Sequence, residues 1–407
     1  MHLPRRVALM LNVGHALDHM FLLIFATAVG TVAAEFGFAR WEDLMPYSAG
    51  AFLMFGVGSV PSGRLGDLWG RRSMMLVFYF GMGVSALLVA ATTGPWQLAA
   101  ALTLLGAFAS IYHPVGIPML LQNAARPGVT IGVSGLSGNL GIALAALVTG
   151  FLVKYLGWRA AFAIPGVASL LIGVAFALQA PREAEPPAKR TTRAAVQLEQ
   201  GVLMRVFFVM TMTAITASLL FNFTTNGNGQ LLRERFAGTI DDPATLGSLL
   251  ALVYAIASLS QLVVGRLIDR VPLKRLYLSI VVAQVPLFAL ASVASGWALF
   301  VLLVAFMAVI FGAIPFTDAM IVRYVDDRLR SRVSGMRLAV SLGISSAAVW
   351  ILGPAVKAAG FQVLLLVMAA IAACTALFAA MLPGESVIAA GSGVSAGAAQ
   401  PRASAGS

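Results

Sequence analysis

Apolar stretches of membrane-spanning length follow one another along this chain. Crossing about 30 Å of hydrocarbon at about 1.5 Å per residue takes about 20 apolar residues in a helix. The stretches lack the alternation of apolar and polar residues that is typical of a barrel strand. The backbone N–H and C=O groups must therefore be hydrogen-bonded within helices. The sequence therefore predicts an all-α membrane protein with twelve transmembrane helices. The predicted spans are 7–33, 45–62, 73–92, 96–122, 131–153, 159–179, 202–224, 244–264, 275–294, 297–322, 333–356 and 361–382.

Composition excludes a soluble protein, and the placement of charge gives the orientation. Hydrophobic residues make up 59% of the chain, charged residues 11%, and the mean hydropathy is +0.90. The net charge of +11 could indicate a nucleic-acid partner, but few basic residues fall in the predicted outer loops. This bias predicts cytoplasmic termini in a multi-pass inner-membrane protein, without nucleic acid. The outer basic residues are Arg40, Lys154, Arg159, Arg233, Arg235 and Lys357.

The N-terminal segment argues against a signal peptide, and the single cysteine argues against cysteine-based sites. Met1–Arg6 followed by an apolar run has the layout of a signal peptide, but the run is too long and contains His15 and Asp18. It is predicted to be a retained first helix. Cys374, the one cysteine, excludes a disulfide and a cysteine-built metal site.

A polar segment divides the chain into two sets of six spans. Residues 180–201 are rich in proline and mixed charge, which predicts a cytoplasmic linker. The N-terminal bundle is then 1–179 and the C-terminal bundle 202–382. Residues 383–407 are rich in Gly, Ala and Ser and are predicted to be a disordered tail.

The two halves repeat short motifs at matching places. Gly63-Arg-Leu-Gly-Asp67 recurs as Gly265-Arg-Leu-Ile-Asp269, 202 positions later. Pro114 in the fourth span is matched by Pro315 in the tenth. Two similar six-helix bundles joined by a loop is the parallel-repeat layout of alternating-access carriers.

The first of these motifs carries a family resemblance. The segment 63–72, GRLGDLWGRR, resembles the signature loop between helices 2 and 3 of the major facilitator superfamily, although Leu68 stands where that loop has a basic residue. The resemblance implies two pseudo-symmetric six-helix bundles and a cytoplasmic gate at both copies of the loop. The implied gate residues are Gly63, Asp67, Gly70, Arg71, Arg72, Gly265, Asp269 and Lys274.

Polar residues are clustered inside the first span. At about 100° per residue, Asn12, His15, Asp18 and His19 share one helix face, and His113 in the fourth span lies at a similar depth. An Asp at mid-bilayer costs roughly 2.5–3.5 kcal/mol on insertion scales, so such residues usually have a function. The family resemblance implies that these spans line a central cavity.

Three uses of this cluster remain open from the sequence. Asp18, coupled to the histidines, could bind and release a proton as the cavity alternates. Alternatively, His15, His19 and His113 could supply three imidazoles to a transition metal. A third possibility is an interhelical hydrogen-bond set without a transport role. Asn139 in the fifth span could offer neutral hydrogen bonds to a solute.

The function predicted is secondary transport, with no cofactor. The sequence shows no Walker loop or redox motif, and the serine-protease-like Gly135-Leu-Ser-Gly138 is read as a coincidence, so the chain is not expected to be an enzyme. Residues 111–114, Ile-Tyr-His-Pro, are similar to fosmidomycin-resistance-type drug exporters. We expect a monomer that exchanges a small organic compound or drug for protons across the lipid bilayer. The alternatives are a transition-metal or small-ion permease and a non-transporting membrane sensor.

Overall fold

The structure is a computed structural model that describes residues 4–121, 127–182, 200–268, 270–324 and 327–382. Within these ranges the chain is helical, as predicted. The helices are α1 Arg5–Glu35, α2 Trp41–Leu44, α3 Ala49–Trp69, α4 Arg71–Ala90, α5 Pro95–Ala109, α6 Ile117–Leu121, α7 Pro127–Leu156, α8 Trp158–Gln179, α9 Gln200–Arg235, α10 Pro243–Ile268, α11 Leu273–Val293, α12 Gly296–Tyr324 and α13 Asp327–Ala380. A 3₁₀ turn, Met45–Ser48, joins α2 to α3, and a π-helical turn, Tyr112–Gly116, precedes α6.

Eleven segments of the described chain are long and apolar enough to cross a membrane. The last, Ala339–Ala380, is twice the usual length and contains Gly360 with φ 75° and ψ 170°, outside the helical region. Glycine reaches this conformation without a side-chain penalty. The predicted spans 333–356 and 361–382 lie on either side of this break.

Helix α9 extends past the predicted end of its span at residue 224. The C-terminal part of α9 contains a polar run that begins at the end of the predicted span and whose side chains are buried, including Thr224, Asn226 and Asn228. Thr224 Oγ1 donates to the Leu220 carbonyl at 2.8 Å, so part of this polarity is satisfied inside α9 itself. A hydropathy pattern cannot anticipate this, because burial among neighbouring helices rather than composition keeps the segment helical.

The two halves of the chain meet along close helix crossings. A Cβ atom added at Gly150 of α7 would lie 2.7 Å from the Pro243 carbonyl oxygen, and one at Gly247 of α10 would lie 2.6 Å from the Ala146 carbonyl oxygen. A larger residue at either position would push α7 and α10 apart. Small residues at such crossings let membrane helices pack backbone to backbone.

Two ion pairs join the halves, one between α7 and the residue before α10 and the other between α13 and α2. Lys154 Nζ lies 2.8 Å from Asp242 Oδ1, and Lys357 Nζ lies 2.5 Å from Asp43 Oδ1. We call this side of the molecule the closed face. Hydrogen bonds from Lys154 and Thr245 lower the pKa of Asp242 to about 2, so its carboxylate stays charged at neutral pH.

Candidate functional site

Three histidine rings converge where α1 meets the π-helical turn. His15 and His19 are one helical turn apart on α1, and their ring centroids are 4.9 Å apart. The ring of His113 lies 5.1 Å from that of His15 and 5.5 Å from that of His19. Residues almost a hundred positions apart in sequence thus form one cluster.

The π-helical turn determines where His113 points. Pro114 has no backbone N–H, so it cannot make the helical bond to the carbonyl of Ser110. The chain widens there into the turn Tyr112–Gly116, and π-helical turns are frequent at functional sites. The Tyr112 hydroxyl donates to the Leu11 carbonyl of α1 at 2.9 Å and its ring stacks on His15, which ties this turn to the cluster.

Helix α7 holds His15 in place from the other side. His15 Nδ1 and Ser134 Oγ are 3.0 Å apart and hydrogen-bonded. A Cβ atom at Gly138 would lie 2.7 Å from His15 Nε2, so only glycine leaves room for the imidazole. His15 Nε2 in turn is 3.2 Å from His19 Nε2. One ring nitrogen of His15 is therefore held by α7 and the other faces the cluster.

Asp18 is the least satisfied polar group of this cluster. Its side chain is fully buried, and neither carboxylate oxygen has a hydrogen-bond partner. Oδ2 lies 3.6 Å from His113 Nε2, within ion-pair range. The His113 side chain is 23% exposed, so the packed protein does not enclose the cluster completely. A buried carboxylate in this setting requires a cation or a proton.

The asparagines that could offer neutral hydrogen bonds to a solute differ in their own hydrogen bonding. Asn139 is buried, and its amide nitrogen lacks a hydrogen-bond partner. Asn12 is half-buried, and its Oδ1 also lacks a partner. Asn222 in the other half instead donates to Ser345 Oγ at 2.7 Å, as interhelical bonding predicts.

The predicted gate residues of the first half make contacts within that half. Arg71 donates to the Pro118 carbonyl at 3.1 Å. Arg72 donates to the carbonyls of Ala177 and Ala180, at the C-terminal end of α8, at 2.6 and 2.9 Å. A cation at this end of a helix satisfies free carbonyls and opposes the helix dipole.

The glycines and the acid of the same loop shape the α3–α4 turn. Gly70 has φ 89°, which favours glycine, and ends α3. A Cβ atom at Gly63 would lie 3.2 Å from Pro114 Cβ, so α3 passes close to the π-helical turn. Asp67 is exposed.

The second copy of the loop repeats the capping contact. Lys274 Nζ donates to the Leu382 carbonyl, just after α13, at 2.7 Å, as Arg72 does at the end of α8. Gly265 is half-buried near the end of α10, and Asp269 lies outside the described residues. The contacts of Arg72 and Lys274 brace each half separately, and gating by these loops stays a prediction.

A cavity between the halves lies towards the closed face and is not lined by the histidine cluster. It is bordered by α1, α7, α9 and α10, and its polar lining includes Thr27, Thr31, Gln230, Arg233 and Asp241. Sequence reasoning missed this cavity and both ion pairs of the closed face. Lys154 and Lys357 were counted as outer-loop charges, and nothing in the sequence pairs them with partners far along the chain.

Long apolar helices around a buried ionisable cluster define a multi-pass membrane protein with a polar site inside the membrane. A family model described as Major Facilitator Superfamily matches residues 11–233. The chain belongs to this superfamily, whose members are transporters.

Known relatives match parts of the chain. It is 34% identical over 134 residues to the "Probable actinorhodin transporter" of Streptomyces coelicolor, covering 31% of this chain and 22% of that protein. It is 27% identical over 261 residues to multidrug resistance protein MdtG of Escherichia fergusonii, covering 62% of each. The match thus spans less than two thirds of either relative's length.

A solved structure shows the same fold. It is a bacterial homolog of the human lysosomal transporter Spinster, in an inward-facing and occupied conformation. The similarity has a TM-score of 0.72 at 15% identity and covers 93% of this chain and 96% of that one. At this identity the match concerns the fold alone.

Proposed function

We propose that the protein is a secondary active transporter that moves a small organic compound or drug by alternating access, in exchange for protons. Membership of the superfamily supports transport. The names of the relatives, an actinorhodin transporter and a multidrug resistance protein, support an organic solute. The sequence lacks a Walker loop, which supports an ion gradient as the energy source.

The proposed arrangement has twelve spans in two bundles of six. The break at Gly360 supports two spans within α13. The distribution of basic residues supports cytoplasmic termini in an inner membrane, with the repeated loops inside and the closed face outside. In that orientation the ion pairs Lys154–Asp242 and Lys357–Asp43 would close the outer side, which supports an inward-facing state. The loops 63–72 and 265–274 would close the inner side in the opposite state.

The observation that carries the proposal is the convergence of the three histidines in the first half, with Asp18 beside His113. Asp18, His15, His19 and His113 are proposed to contact the solute or the coupling ion. Intramembrane ionisable residues commonly mark such pathways. Asn12 and Asn139, each with an unbonded polar atom, would add neutral hydrogen bonds.

Transport into liposomes tests this proposal. The purified full chain is reconstituted, a pH gradient is imposed, and uptake of ethidium and of an aromatic antibiotic is followed. We expect uptake that a protonophore abolishes and that Asp18→Asn lowers at least about tenfold, the scale of a lost 1.4 kcal/mol. Size-exclusion chromatography and thermal unfolding confirm that the variant is folded. Uptake that is indifferent to the gradient would contradict proton exchange, and full activity in Asp18→Asn would contradict the role of the cluster.

A further inference from the structure

We propose that His15, His19, His113 and Asp18 form a binding site for one divalent transition-metal ion of the Zn²⁺ or Co²⁺ type. The proposal goes beyond transport of an organic solute, because metal binding is a property of the purified protein that needs no transport. It rests on the distances between ligand atoms, on the unbonded oxygens of Asp18 and on the groups that surround the cluster.

The distances between the nitrogen atoms fit a small metal ion. One ligand nitrogen from each of the three histidines lies within 4.8 Å of the other two. A tetrahedral site with metal–nitrogen bonds of about 2.0–2.1 Å places neighbouring ligand atoms about 3.3–3.4 Å apart. His15 Nε2 and His19 Nε2 are 3.2 Å apart, close to that value. A change in the side-chain torsion angles of His113, whose side chain is 23% exposed, would bring the remaining separations to this value.

Asp18 is placed to be the fourth ligand. Its Oδ2 is 3.6 Å from His113 Nε2, again near the edge length of a tetrahedral site. Both oxygens are buried without a hydrogen-bond partner. An ionised carboxylate is costly in such a place unless it is paired or coordinates a metal. A divalent ion at the centre of the cluster would satisfy the carboxylate and separate three imidazoles that otherwise face one another.

The surrounding groups orient the imidazoles as metal sites require. Ligating histidines usually use their second ring nitrogen to hydrogen-bond a neighbouring group, which fixes the ring. His15 does so through Nδ1 to Ser134 Oγ at 3.0 Å, which leaves Nε2 for the ion. Tyr112 stacks on the same ring, with centroids 4.6 Å apart, and limits its rotation. His15 is thus held in place before an ion arrives.

The ligand types select the class of metal. Imidazole suits zinc, copper, iron and nickel, whereas soft thiolate ligands would be needed to favour Cu(I). The one cysteine of the chain, Cys374, is exposed on α13. Calcium and magnesium prefer oxygen ligands and suit this set poorly. Three imidazoles and one carboxylate therefore favour a divalent ion of borderline softness, and His113, which is 23% exposed, leaves the cluster incompletely enclosed.

The test is Co²⁺ binding to the purified full chain in detergent at neutral pH. Tetrahedral Co²⁺ with nitrogen ligands gives intense visible absorption bands, so the spectrum reports geometry and the titration reports stoichiometry. We expect one Co²⁺ per chain, displaced by Zn²⁺ and with a tetrahedral spectrum. His113→Gln and Asp18→Asn should each weaken binding at least about tenfold, and Ser134→Ala by about tenfold or more, the usual range for a group that orients a ligand.

Controls separate this site from general binding and from misfolding. Asn222→Ala, at a buried polar position in the other half, should bind Co²⁺ like the wild type. His113 is part-exposed, so His113→Gln remains informative if a His15 variant does not fold. Binding that is unchanged in His113→Gln, or a weak octahedral spectrum, would overturn the proposal. A chain that binds Co²⁺ at the cluster but moves no solute would contradict the proposed transport function and leave the metal site standing.

Discussion

The two halves of the chain differ in the type of polar side chain that is buried between their helices. In the first half the buried groups are ionisable, and Asp18 has two unbonded oxygens. In the part of the second half that the structure describes, the buried Asn, Gln, Ser and Thr side chains are neutral, and Asn222 donates to both Ser345 Oγ and the Ser218 carbonyl, at 2.7 and 2.9 Å. Ser218 continues this network by donating to the Ser341 carbonyl at 2.6 Å.

This difference shows what the repeat has kept and what it has not. The matched contacts of Arg72 and Lys274 show that both halves retain the same helix-end bracing. The polar contents of the helices have diverged. Buried polar atoms without a partner occur in both halves, and in the second they include atoms of the amides of Asn226, Asn228 and Gln284. Among the described residues, however, the unbonded carboxylate is that of Asp18 in the first half, and an unpaired buried carboxylate is the costlier group. The ionisable half is therefore where solute, coupling ion or metal is expected to act.

The largest expected effect comes from disturbing the ionisable half without touching its charges. In Gly138→Ala the new methyl group would lie where His15 Nε2 needs space, so the imidazole must move. We expect liposome uptake and Co²⁺ affinity each to fall at least about tenfold, equivalent to about 1.4 kcal/mol. Gly132→Ala on the same helix, where nothing lies within 4 Å, is the matched control. Equal behaviour of the two variants would show that the placement of His15 does not matter.

A second prediction concerns the closed face, where the two halves touch. Removing both cross-half ion pairs, with Lys154→Gln and Lys357→Gln, should let this face open more often. A cysteine at Thr31, which lines the nearby cavity, should then react with a maleimide several-fold faster in a Cys374→Ser background. Each exposed ion pair contributes up to about 1 kcal/mol, a several-fold change in an opening equilibrium.

The control for this experiment is an ion pair that stays within one half. Arg159 and Glu35 are 2.5 Å apart and belong to α8 and α1. Arg159→Gln should leave the labelling rate near that of the parent, because it breaks no contact between the halves. If Arg159→Gln speeds labelling as much as the double lysine variant, the ion pairs do not hold the halves together.

The third prediction tests the equivalence of the repeated loops. Arg72→Gln and Lys274→Gln remove cations from the ends of α8 and α13, so each should lower stability by about 1 kcal/mol. Arg72 makes two such bonds and Lys274 one, so Arg72→Gln should have the larger effect. Thermal unfolding in detergent measures both. A stable Arg72→Gln variant with altered transport would instead favour a role in gating.

The smallest effect is expected in the neutral half. Asn222→Ala removes hydrogen bonds between α9 and α13, and such bonds average about 0.6 kcal/mol in membrane proteins. The apparent unfolding temperature should fall slightly and uptake should stay within about twofold of the wild type, on the same energy scale. Loss of uptake comparable to that of Gly138→Ala would mean that both halves contact the solute.

The sequence predicted the helical membrane fold because apolar runs leave few alternatives in lipid. It placed His15 and His19 together because their spacing of four residues is a property of any α-helix. The position of His113 followed less directly, since it depends on the π-helical turn at Pro114. Pairs such as Lys154–Asp242 could not be predicted, because they depend on how the two halves of the chain meet.

The end of α9 illustrates a second limit of sequence reasoning. Residues 224–230 read as a polar exit from the membrane, yet most of them are buried. Their polar groups are partly satisfied by backbone carbonyls one turn earlier, as with Thr225 Oγ1 and the Phe221 carbonyl at 2.7 Å. Hydropathy measures the cost of exposing a residue to lipid, and these residues are shielded from lipid by neighbouring helices.

The crossing of Gly150 and Gly247 has a mechanical consequence. Backbones that touch directly have no interlocked side chains to disengage, so two such helices can tilt against each other with little repacking. The crossing can therefore act as a pivot. Resistance to rotation would come mainly from the charged pair Lys154–Asp242 beside the crossing. If the protein alternates as proposed, substitutions of these surface residues, far from the histidines, would change the speed of that motion.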